Sequence, residues 1–456
     1  MTEIRHSLSL RIVKVLNVLL MALPFAGCWY WYYAERIASP FFRKGNWLVV
    51  ALYLVLYVIF ARTYDAFYIS IQRISELVYS QVLAAFVSDA IMFVVIWLMS
   101  KRFPNMLPGL LALAAQVLLS FLWSFLAHRW YFAVNPPRPS AVVYDTRVGL
   151  ERLIGEYGLQ AKFDVKKTLS AEECLDDLSV LAHIDTVFLS GVHSHDRNVI
   201  LKYCVEHRVN VYVIPRIGDV LMSGAKQMHL FHLPMLCVGR YNPPPEYLFV
   251  KRAMDLLISG IALVVLSPVM LVTALAIKVT DRGPVFYKQS RLTKDGREFN
   301  VLKFRSMRVD AEADGVARLS TGGSDSRITP VGRVIRAVRI DELPQLINIL
   351  KGDLSLVGPR PERKAIADLY EETMPEFHLR LQAKAGLTGY AQVYGKYNTT
   401  PYDKLQMDLM YISHPSILED LRILFATVKI LFLPESTEGI AVGATTAIGV
   451  EKESVK

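Results

Sequence analysis

The sequence predicts an α/β membrane protein in three parts. These are an N-terminal bundle of membrane helices, a parallel-sheet domain with crossover helices, and a C-terminal, mostly helical α+β domain. Three observations predict this architecture. Of the 456 residues, 53% are hydrophobic and only 20% are charged, which is typical of membrane proteins. Four apolar runs of nearly membrane-spanning length lie before residue 134. Strand-like and helix-like runs then alternate from about 140 to 240, a pattern typical of a parallel sheet.

The charge balance favours anionic partners. The formal net charge is +9, which in a membrane protein favours anionic headgroups or anionic substrates. Nucleic acid is the competing partner, but the chain has no nucleic-acid motif and no basic helix with interleaved aromatics, so we expect none. The cysteines lack the close pairs of a zinc site, and we expect reduced thiols in a cytoplasmic setting. They are Cys28, Cys174, Cys204 and Cys237.

The first apolar run, 13–33, is long and has no clear small-residue cleavage site, so it predicts a membrane helix rather than a signal peptide. Runs at 47–60, 77–99 and 107–126 complete a predicted membrane domain over 1–134. A soluble helical bundle is the alternative, and the length of the runs disfavours it. Lys and Arg occur in every short loop, so the positive-inside rule does not decide orientation. Four spans would place both ends of this domain on one side.

A parallel-sheet domain is predicted over 140–240. The turn after its first strand, 145–149, lacks the G-x-G-x-x-G pattern, which disfavours dinucleotide binding. His193 and His195 have no third ligand nearby, so we interpret them as loop residues rather than metal ligands.

A further apolar segment, 256–277, is long enough to span a bilayer. Ser267 and Pro268 lie at its middle. Proline removes a helix hydrogen bond, and the serine hydroxyl can satisfy the carbonyl that is freed. A sharp break would return the segment to its side of entry, whereas a mild kink would let it cross. The residues alone leave both interpretations open.

Two adjacent carboxylates, Asp341 and Glu342, precede a run with apolar residues at 343, 346, 347 and 350, the spacing of an amphipathic helix. Pro344 is tolerated only in a first helical turn, which predicts that the acids lie at the helix N-terminus, and Gly352 predicts its end. Such acids are commonly first-turn residues that favour the helix dipole.

Arginines on both sides of the acid pair indicate a second interpretation. Arg336 precedes the pair, and Arg360 lies between two prolines after it. Guanidinium groups bind phosphate oxygens bidentately, and a helix N-terminus also suits phosphate. A phosphate-binding site is therefore the alternative to ordinary helix-capping acids.

From 251 to about 434 the chain resembles the bacterial sugar transferases, which move a sugar phosphate from a nucleotide sugar to a polyprenyl phosphate. The order of many short blocks carries the resemblance, because no single block is specific. The blocks are Lys251-Arg252 with Asp255, Ser267-Pro268, GPVFYKQSR at 283–291, KFRSM at 303–307, RIT at 327–329, DELPQ at 341–345, GDLSLVGPRPE at 352–362, GLTGYAQ at 386–392, and Lys404, Asp408 and Tyr411.

The resemblance implies roles for these residues. Asp341 would be the nucleophile, and Glu342, together with Asp341, would bind Mg²⁺. Lys404 and Asp408, at i and i+4 of a predicted helix, would contact the nucleotide or the carboxylates, with a surface ion pair as the alternative. Ser267 and Pro268 would break a re-entrant helix at 254–279, within a catalytic domain at 251–434. The side chains that would hold phosphate oxygens are Arg291, Lys303, Arg336 and Arg360.

The resemblance also implies a function. A hexose-1-phosphate would pass from a UDP-sugar to undecaprenyl phosphate through a covalent aspartyl phospho-sugar, the first membrane step of exopolysaccharide, capsule or O-antigen synthesis. The protein would lie in the bacterial inner membrane with its active site on the cytoplasmic face. The region at 140–240 would be a Rossmann-like domain with a regulatory or assembly role. A polar loop at 310–326 is a candidate lid, and a tail at 436–456 is predicted to be disordered.

Three questions stay open at this stage. A catalytically inactive membrane scaffold or regulator of polysaccharide assembly is the alternative function. A conventional glycosyltransferase would differ by releasing a nucleoside diphosphate. The long N-terminal half is compatible with a homodimer.

Overall fold

This computed structural model describes residues 2–42, 44–309, 311, 327–395 and 399–431. The predicted lid, apart from Ala311, and the predicted tail at 436–456 lie outside the described residues. The chain divides into two compact units, 1–214 and 215–456. The three predicted domain boundaries stay predictions.

The N-terminal unit begins with four long helices. Each of them is long and apolar enough to cross a membrane, as the sequence predicts. The loops after the first and third helices meet, because the Tyr33 hydroxyl donates to the Asn105 carbonyl at 2.7 Å. The bundle is therefore antiparallel, with neighbouring helices running in opposite directions. The helices are α1 (Thr2–Cys28, continued by a π-helix at Trp29–Tyr33), α2 (Lys44–Thr63), α3 (Ile74–Ser100) and α4 (Leu107–Val134).

Polar side chains link the helices α1, α2 and α4 inside the bundle. The Tyr57 hydroxyl on α2 donates to Asn17 Oδ1 on α1 at 2.9 Å. Gln116 on α4 donates from Nε2 to the Tyr53 hydroxyl at 2.8 Å and to the Met21 carbonyl at 3.1 Å. In an apolar medium such interhelical hydrogen bonds favour one packing arrangement over others. The bundle is thus held by specific polar contacts as well as by apolar packing.

The same unit contains the predicted parallel sheet. Its strands run in the order β2-β1-β3-β4, and all pairs are parallel. Apolar residues such as Val143, Val187, Leu189 and Ile200 form its core. The alternating pattern in the sequence is therefore confirmed. The elements are β1 (Arg138–Tyr144), α5 (Leu150–Glu156), β2 (Phe163–Ser170), α6 (Ala171–Asp176), β3 (Thr186–Ser190), α7 (Ser194–Glu206) and β4 (Asn210–Val213).

The C-terminal unit is mostly helical, with short two-stranded sheets. Its antiparallel pairs are β5–β6 and β7–β8, and its parallel pair is β9–β10. The elements are α8 (Ile217–Ser223), β5 (Lys226–Leu230), β6 (Leu233–Cys237), α9 (Pro245–Asp281), β7 (Phe286–Leu292), β8 (Glu298–Phe304), α10 (Pro330–Ala337), α11 (Gln345–Lys351), β9 (Ser355–Val357), α12 (Lys364–Thr373), β10 (Gly386–Thr388), α13 (Tyr390–Tyr394), α14 (Pro401–Ser413) and α15 (Ile417–Leu431).

Helix α9 continues through its internal proline. Pro268 has no N–H to bond the carbonyl of Val264, four residues earlier. The Ser267 hydroxyl donates to that carbonyl at 2.7 Å. The predicted serine rescue is therefore present, and the helix assignment is unbroken from Pro245 to Asp281. Its length and composition suit a membrane span. The re-entrant geometry stays a prediction.

The first half of α9 is clamped to two short elements of the same unit. The Arg252 guanidinium donates to the Ile349 carbonyl at 2.7 Å and to the Leu350 carbonyl at 2.9 Å, which satisfies the open C-terminal end of α11. The Asp255 carboxylate accepts from Ser355 Oγ at 3.1 Å and from the Leu356 N–H at 2.9 Å on β9. These contacts tie the membrane-associated helix to the segments that follow the acid pair.

A buried ion pair adds a second clamp on α9. The Lys251 ammonium lies 2.9 Å from the Asp420 carboxylate on α15. The hydroxyls of Tyr411 and Tyr247 donate to the same carboxylate at 2.7 and 3.0 Å. Asp420 is only 1% exposed. Three donors thus satisfy one buried anion and hold α9, α14 and α15 together.

We predict that Asp420→Ala lowers the free energy of unfolding by roughly 3–5 kcal/mol, because it leaves the Lys251 ammonium buried without a counter-charge. Denaturant unfolding of the purified full chain, followed by far-UV circular dichroism, measures the change. Lys364→Ala is the control: Lys364 forms an exposed pair with Glu298 at 3.7 Å, and its loss should cost less than about 1 kcal/mol. Equal effects of the two substitutions would contradict the clamp.

Candidate active site

The acid pair lies in its own short turn. Arg339 follows α10 in the left-handed conformation, with φ 55°, and this reverses the chain direction. Asp341 and Glu342 then lie in a 3-10 turn, Ile340–Glu342, and α11 begins only at Gln345. The acids therefore lie just before the N-terminus of α11 and not within its first turn. The stop at Gly352 is confirmed, because that residue adopts φ 92° at the helix end.

Two cations from distant parts of the sequence hold Glu342. Lys303, on β8, donates to Glu342 Oε1 at 3.1 Å. Arg360, in the loop after β9, donates to the same oxygen at 3.4 Å. Asn348 on α11 fixes β8 beside the turn, since its side chain bonds the Leu302 N–H at 2.9 Å and the Asn300 carbonyl at 2.8 Å. The structure thus brings together three residues that the sequence placed in separate blocks.

The environment of Asp341 differs from that of its neighbour. Among the contacts of the described residues, none is a hydrogen bond or an ion pair of the Asp341 carboxylate, and the residue is half-buried. Lys303, Arg336 and Arg360 are nevertheless close enough to act on its charge. An ionised Asp341 would therefore keep both oxygens available to a ligand within a positive field.

The two carboxyls have opposite pKa shifts. Burial raises the pKa of Asp341 to about 6, and the charge of Glu342 adds to the increase. Burial also favours the protonated form of Glu342, but Lys303, Arg360 and Arg339 outweigh it and hold the pKa of Glu342 well below its usual range. One acid is therefore a permanent anion, whereas the other titrates near neutral pH. Such divergence separates roles within a pair of catalytic acids.

Arg291 lies on β7 and contacts the Pro-Arg-Pro loop. Its guanidinium donates to the Pro361 carbonyl at 2.8 Å and lies 3.6 Å from Glu362. It also donates to Gln289. These contacts position the loop that carries Arg360. The predicted phosphate contact of Arg291 stays a prediction.

Asp408 positions the backbone of Arg360 indirectly, through Arg380. It is 1% exposed, and its carboxylate lies 2.6 Å from the guanidinium of Arg380. Arg380 also donates to the backbone carbonyl of Arg360 at 2.9 Å. The alternative of a surface ion pair with Lys404 is therefore wrong for Asp408. Burial lowers the pKa of Lys404, which lies near Glu362, Arg360 and Arg380. The predicted nucleotide contact of both residues stays a prediction.

Two further basic residues in this region, Arg339 and Arg380, have no role among the predictions from the sequence. Arg339 acts on both acids, and its position directly before them was a visible signal. Its left-handed backbone was not readable from sequence. Arg380 lies outside all the matching blocks, and no local pattern marks it. Glu362 lies in the matching block at 352–362, but the sequence predicted no role for it.

The carboxyl oxygens suit a magnesium ion. Both oxygens of Asp341 and Oε2 of Glu342 make no hydrogen bond or ion pair with the described residues, whereas Glu342 Oε1 receives both cations. Mg²⁺ is typically bound by one or two carboxylates, substrate phosphates and water rather than by a full protein cage. No group of three or more His, Cys, Asp or Glu that could hold a metal occurs among the described residues. The donor set therefore fits Mg²⁺ whose remaining ligands come from outside the protein.

Comparison with known proteins gives consistent matches. The family model for "Bacterial sugar transferase" matches residues 246–434. An Aeromonas hydrophila UDP-N-acetylgalactosamine-undecaprenyl-phosphate N-acetylgalactosaminephosphotransferase is 40% identical over 232 residues, 50% of this chain and 54% of that protein. A Caulobacter vibrioides UDP-glucose:undecaprenyl-phosphate glucose-1-phosphate transferase is 40% identical over 191 residues, 41% of this chain and 71% of that protein.

A third relative is covered almost completely. The exopolysaccharide production protein PSS of Rhizobium leguminosarum bv. phaseoli is 43% identical over 190 residues, 40% of this chain and 94% of that protein. By contrast, the chain spans about half the length of the Aeromonas relative.

The opposite pKa shifts predict opposite stability effects. The folded-state pKa of Asp341 lies above its usual 3.8, so ionisation costs stability as pH rises from about 4 to about 6. Asp341→Asn should therefore raise the free energy of unfolding by roughly 1–3 kcal/mol at pH 8 and leave it unchanged at pH 4. Denaturant unfolding at the two pH values measures this.

Glu342→Gln is the matched control, with the opposite sign. It should lower stability at pH 8, because it removes the counter-charge of Lys303 and Arg360. Shifts of the same sign in the two variants at pH 8 would contradict the assignment.

Proposed function

Because the chain belongs to the bacterial sugar transferase family, we propose that it is a membrane phosphoglycosyl transferase. In this proposal it moves a hexose-1-phosphate from a UDP-sugar to undecaprenyl phosphate. The printed names of the Aeromonas and Caulobacter relatives support this donor and acceptor. The observation that carries the proposal is the acid pair. One carboxylate is neutralised by Lys303 and Arg360, while the other makes no hydrogen bond or ion pair with the residues that the structure describes.

Asp341 is the nucleophile of this mechanism. An oxygen of its carboxylate forms a bond to the sugar-bearing phosphorus of the UDP-sugar, and the bond from that phosphorus to the bridging oxygen breaks. UMP leaves with the electron pair, and the sugar phosphate stays on Asp341 as an acyl phosphate. A phosphate oxygen of the lipid then attacks the same phosphorus and displaces the Asp341 carboxylate. Covalent catalysis of this kind divides one difficult transfer into two easier steps.

The basic side chains neutralise the diphosphate. Lys303, Arg336 and Arg360 surround Asp341, where negative charge accumulates on the phosphate oxygens. Pre-positioned cations in a partly buried site stabilise such charge more effectively than water does. Asp341 and Glu342 would hold Mg²⁺, which when bound supplies further neutralisation of the diphosphate. Glu342, kept ionised by its two cations, also orients Lys303 and Arg360.

The proposal places α9 as a re-entrant helix with the active site on the cytoplasmic face of the inner membrane. Both halves of α9 pack on the C-terminal unit. Asp255 bonds β9, and Ile277 lies in a cluster with Phe304 and Ile335. Between 255 and 277 a straight helix rises about 33 Å, roughly the thickness of a bilayer core. A crossing helix would separate its two ends by the bilayer, whereas a returning helix leaves both on one side.

Asp341→Asn in the purified full chain should lower UMP release by about 10³-fold or more, because it removes the nucleophile. A panel of UDP-sugars supplies the substrate, and intact-protein mass spectrometry on the wild type should detect a sugar-phosphate adduct. Asp295→Asn is the control, an acid-to-amide change in an exposed turn beside Arg240. Release of UDP instead of UMP, or retained turnover in Asp341→Asn, would overturn the proposal. An inactive scaffold would release neither nucleotide.

The pKa of Asp341 sets a second expectation. Protonation blocks the nucleophile, so kcat/KM should fall below about pH 6 with a slope of one. Arg336 lowers the pKa of Asp341, so Arg336→Gln should raise the midpoint of this acid limb by roughly 0.5–1 pH unit. The pH–rate profiles of the two proteins test the assignment. An unmoved or lowered midpoint would count against Asp341 as the titrating group.

A further inference from the structure

An apolar groove lies beside the acid pair. One wall is a face of α9 that includes Val269, Val272 and Ala276, and the other is a face of α10 that includes Val331 and Val334. Ile340 lines it as well. Its volume is about 530 Å³, which is within the range of small-ligand sites.

The groove is suited to hydrocarbon. Thr273, a lining residue that carries a hydroxyl, donates it to the Val269 carbonyl at 2.8 Å. Val272 and Val334, on the two walls of the groove, have 66% and 65% of their surface exposed. Open apolar surface of this kind accepts hydrocarbon in preference to polar ligands. The ligand class is therefore an apolar chain rather than a sugar or a nucleotide.

The groove is continuous with the phosphate site. Ile340 is followed directly by Asp341 in the same 3-10 turn. Helix α10 carries Val331, Val334 and Ile335 on the groove face, and its Arg336 acts on the charge of Asp341. One short amphipathic helix thus contributes to an apolar wall and to the cation cluster. This arrangement matches a ligand with a phosphate head joined to a hydrocarbon chain.

We propose that the groove seats the first isoprene units of the acceptor lipid, and that it therefore acts only in the second half-reaction. The proposal rests on the proposed function. In a polyprenyl phosphate the chain begins at the phosphate itself, as the groove begins at Ile340, next to Asp341. In a bilayer phospholipid a glycerol unit separates the phosphate from two acyl chains, and this geometry fits the groove less well.

The first test fills the groove with Val334→Trp. The control is Val338→Trp, just beyond the same helix, where Val338 is 51% exposed and is not a lining residue. Two reactions are measured: exchange of labelled UMP into the UDP-sugar without acceptor, and transfer to polyprenyl phosphates of long and single-isoprene length. Val334→Trp should keep exchange within about twofold and lower kcat/KM for the long acceptor by about tenfold or more. The loss should be smaller for the single-isoprene acceptor, because its one unit occupies only the start of the groove.

The outcomes separate the two proposals. Absence of exchange in the wild type would refute the proposed function and with it the groove. A second outcome is that exchange is intact but kcat/KM for the long acceptor is equal in Val334→Trp and Val338→Trp. This outcome would refute the groove alone. If Val334→Trp lowers both reactions together, Val272→Ser on the opposite wall decides: a selective loss with the long acceptor supports the groove, and no loss refutes it.

The second test distinguishes the two lipid sources. A polyprenyl phosphate with a photoreactive group on its first isoprene unit is added to the full chain in phosphatidylglycerol vesicles, and the labelled peptides are sequenced. Labelling within α9 and α10 that excess phosphatidylglycerol does not reduce would support the proposal. Equal labelling of the same peptides by a phosphatidylglycerol that carries the photoreactive group would overturn it, because the groove would then be an ordinary lipid contact.

Discussion

The arrangement of the site depends on the unequal sharing of positive charge between two adjacent carboxylates. Lys303 and Arg360 both bond Glu342 Oε1, whereas Asp341 takes no direct protein partner among the described residues. Two neighbouring buried anions repel each other, so neutralising one of them lets the other be ionised close to neutral pH. A symmetric arrangement would bind a cation equally well but would leave no oxygen both charged and accessible to the phosphorus of the proposed substrate.

The unequal distribution of cations between the two acids depends on residues that do not contact the acids themselves. Arg380 holds the Arg360 carbonyl and is itself neutralised by Asp408, while Arg291 holds the neighbouring Pro361 carbonyl. On the other side, Arg252 of α9 satisfies the last carbonyls of α11. The membrane-associated helix and the cation loop therefore fix the acid pair from opposite ends. Buried ion pairs add little net stability, but they specify geometry when every partner is satisfied.

Periodicity predicted most of the fold but could not predict the chemistry of the turn. The membrane helices and the parallel sheet follow from local patterns that residues carry in their own neighbourhood. The hydrogen bond from Ser267 to the Val264 carbonyl was predictable, because a proline at position 268 necessarily leaves that carbonyl without its helical N–H partner. By contrast, the left-handed Arg339 links α10 to the turn that carries the acids, and no sequence rule requires that conformation of an arginine. Arg380 acts through partners 20 and 28 residues away, so only the folded chain identifies it.

The proposed site has to accommodate both a polar phosphate and an apolar hydrocarbon chain, and the single helix α10 contributes residues to both parts. A phosphate needs cations and some water, whereas a polyprenyl chain needs apolar surface, and the two requirements meet at one covalent bond of the lipid. An eight-residue helix with Arg336 near Asp341 and Val334 in the groove satisfies both within about one turn. In the proposed mechanism, the turn directly after this helix brings Asp341 and the reacting phosphorus to the boundary between the polar and the apolar part of the site. An amphiphilic acceptor would then account for the position of Asp341, together with the electrostatics of the proposed diphosphate.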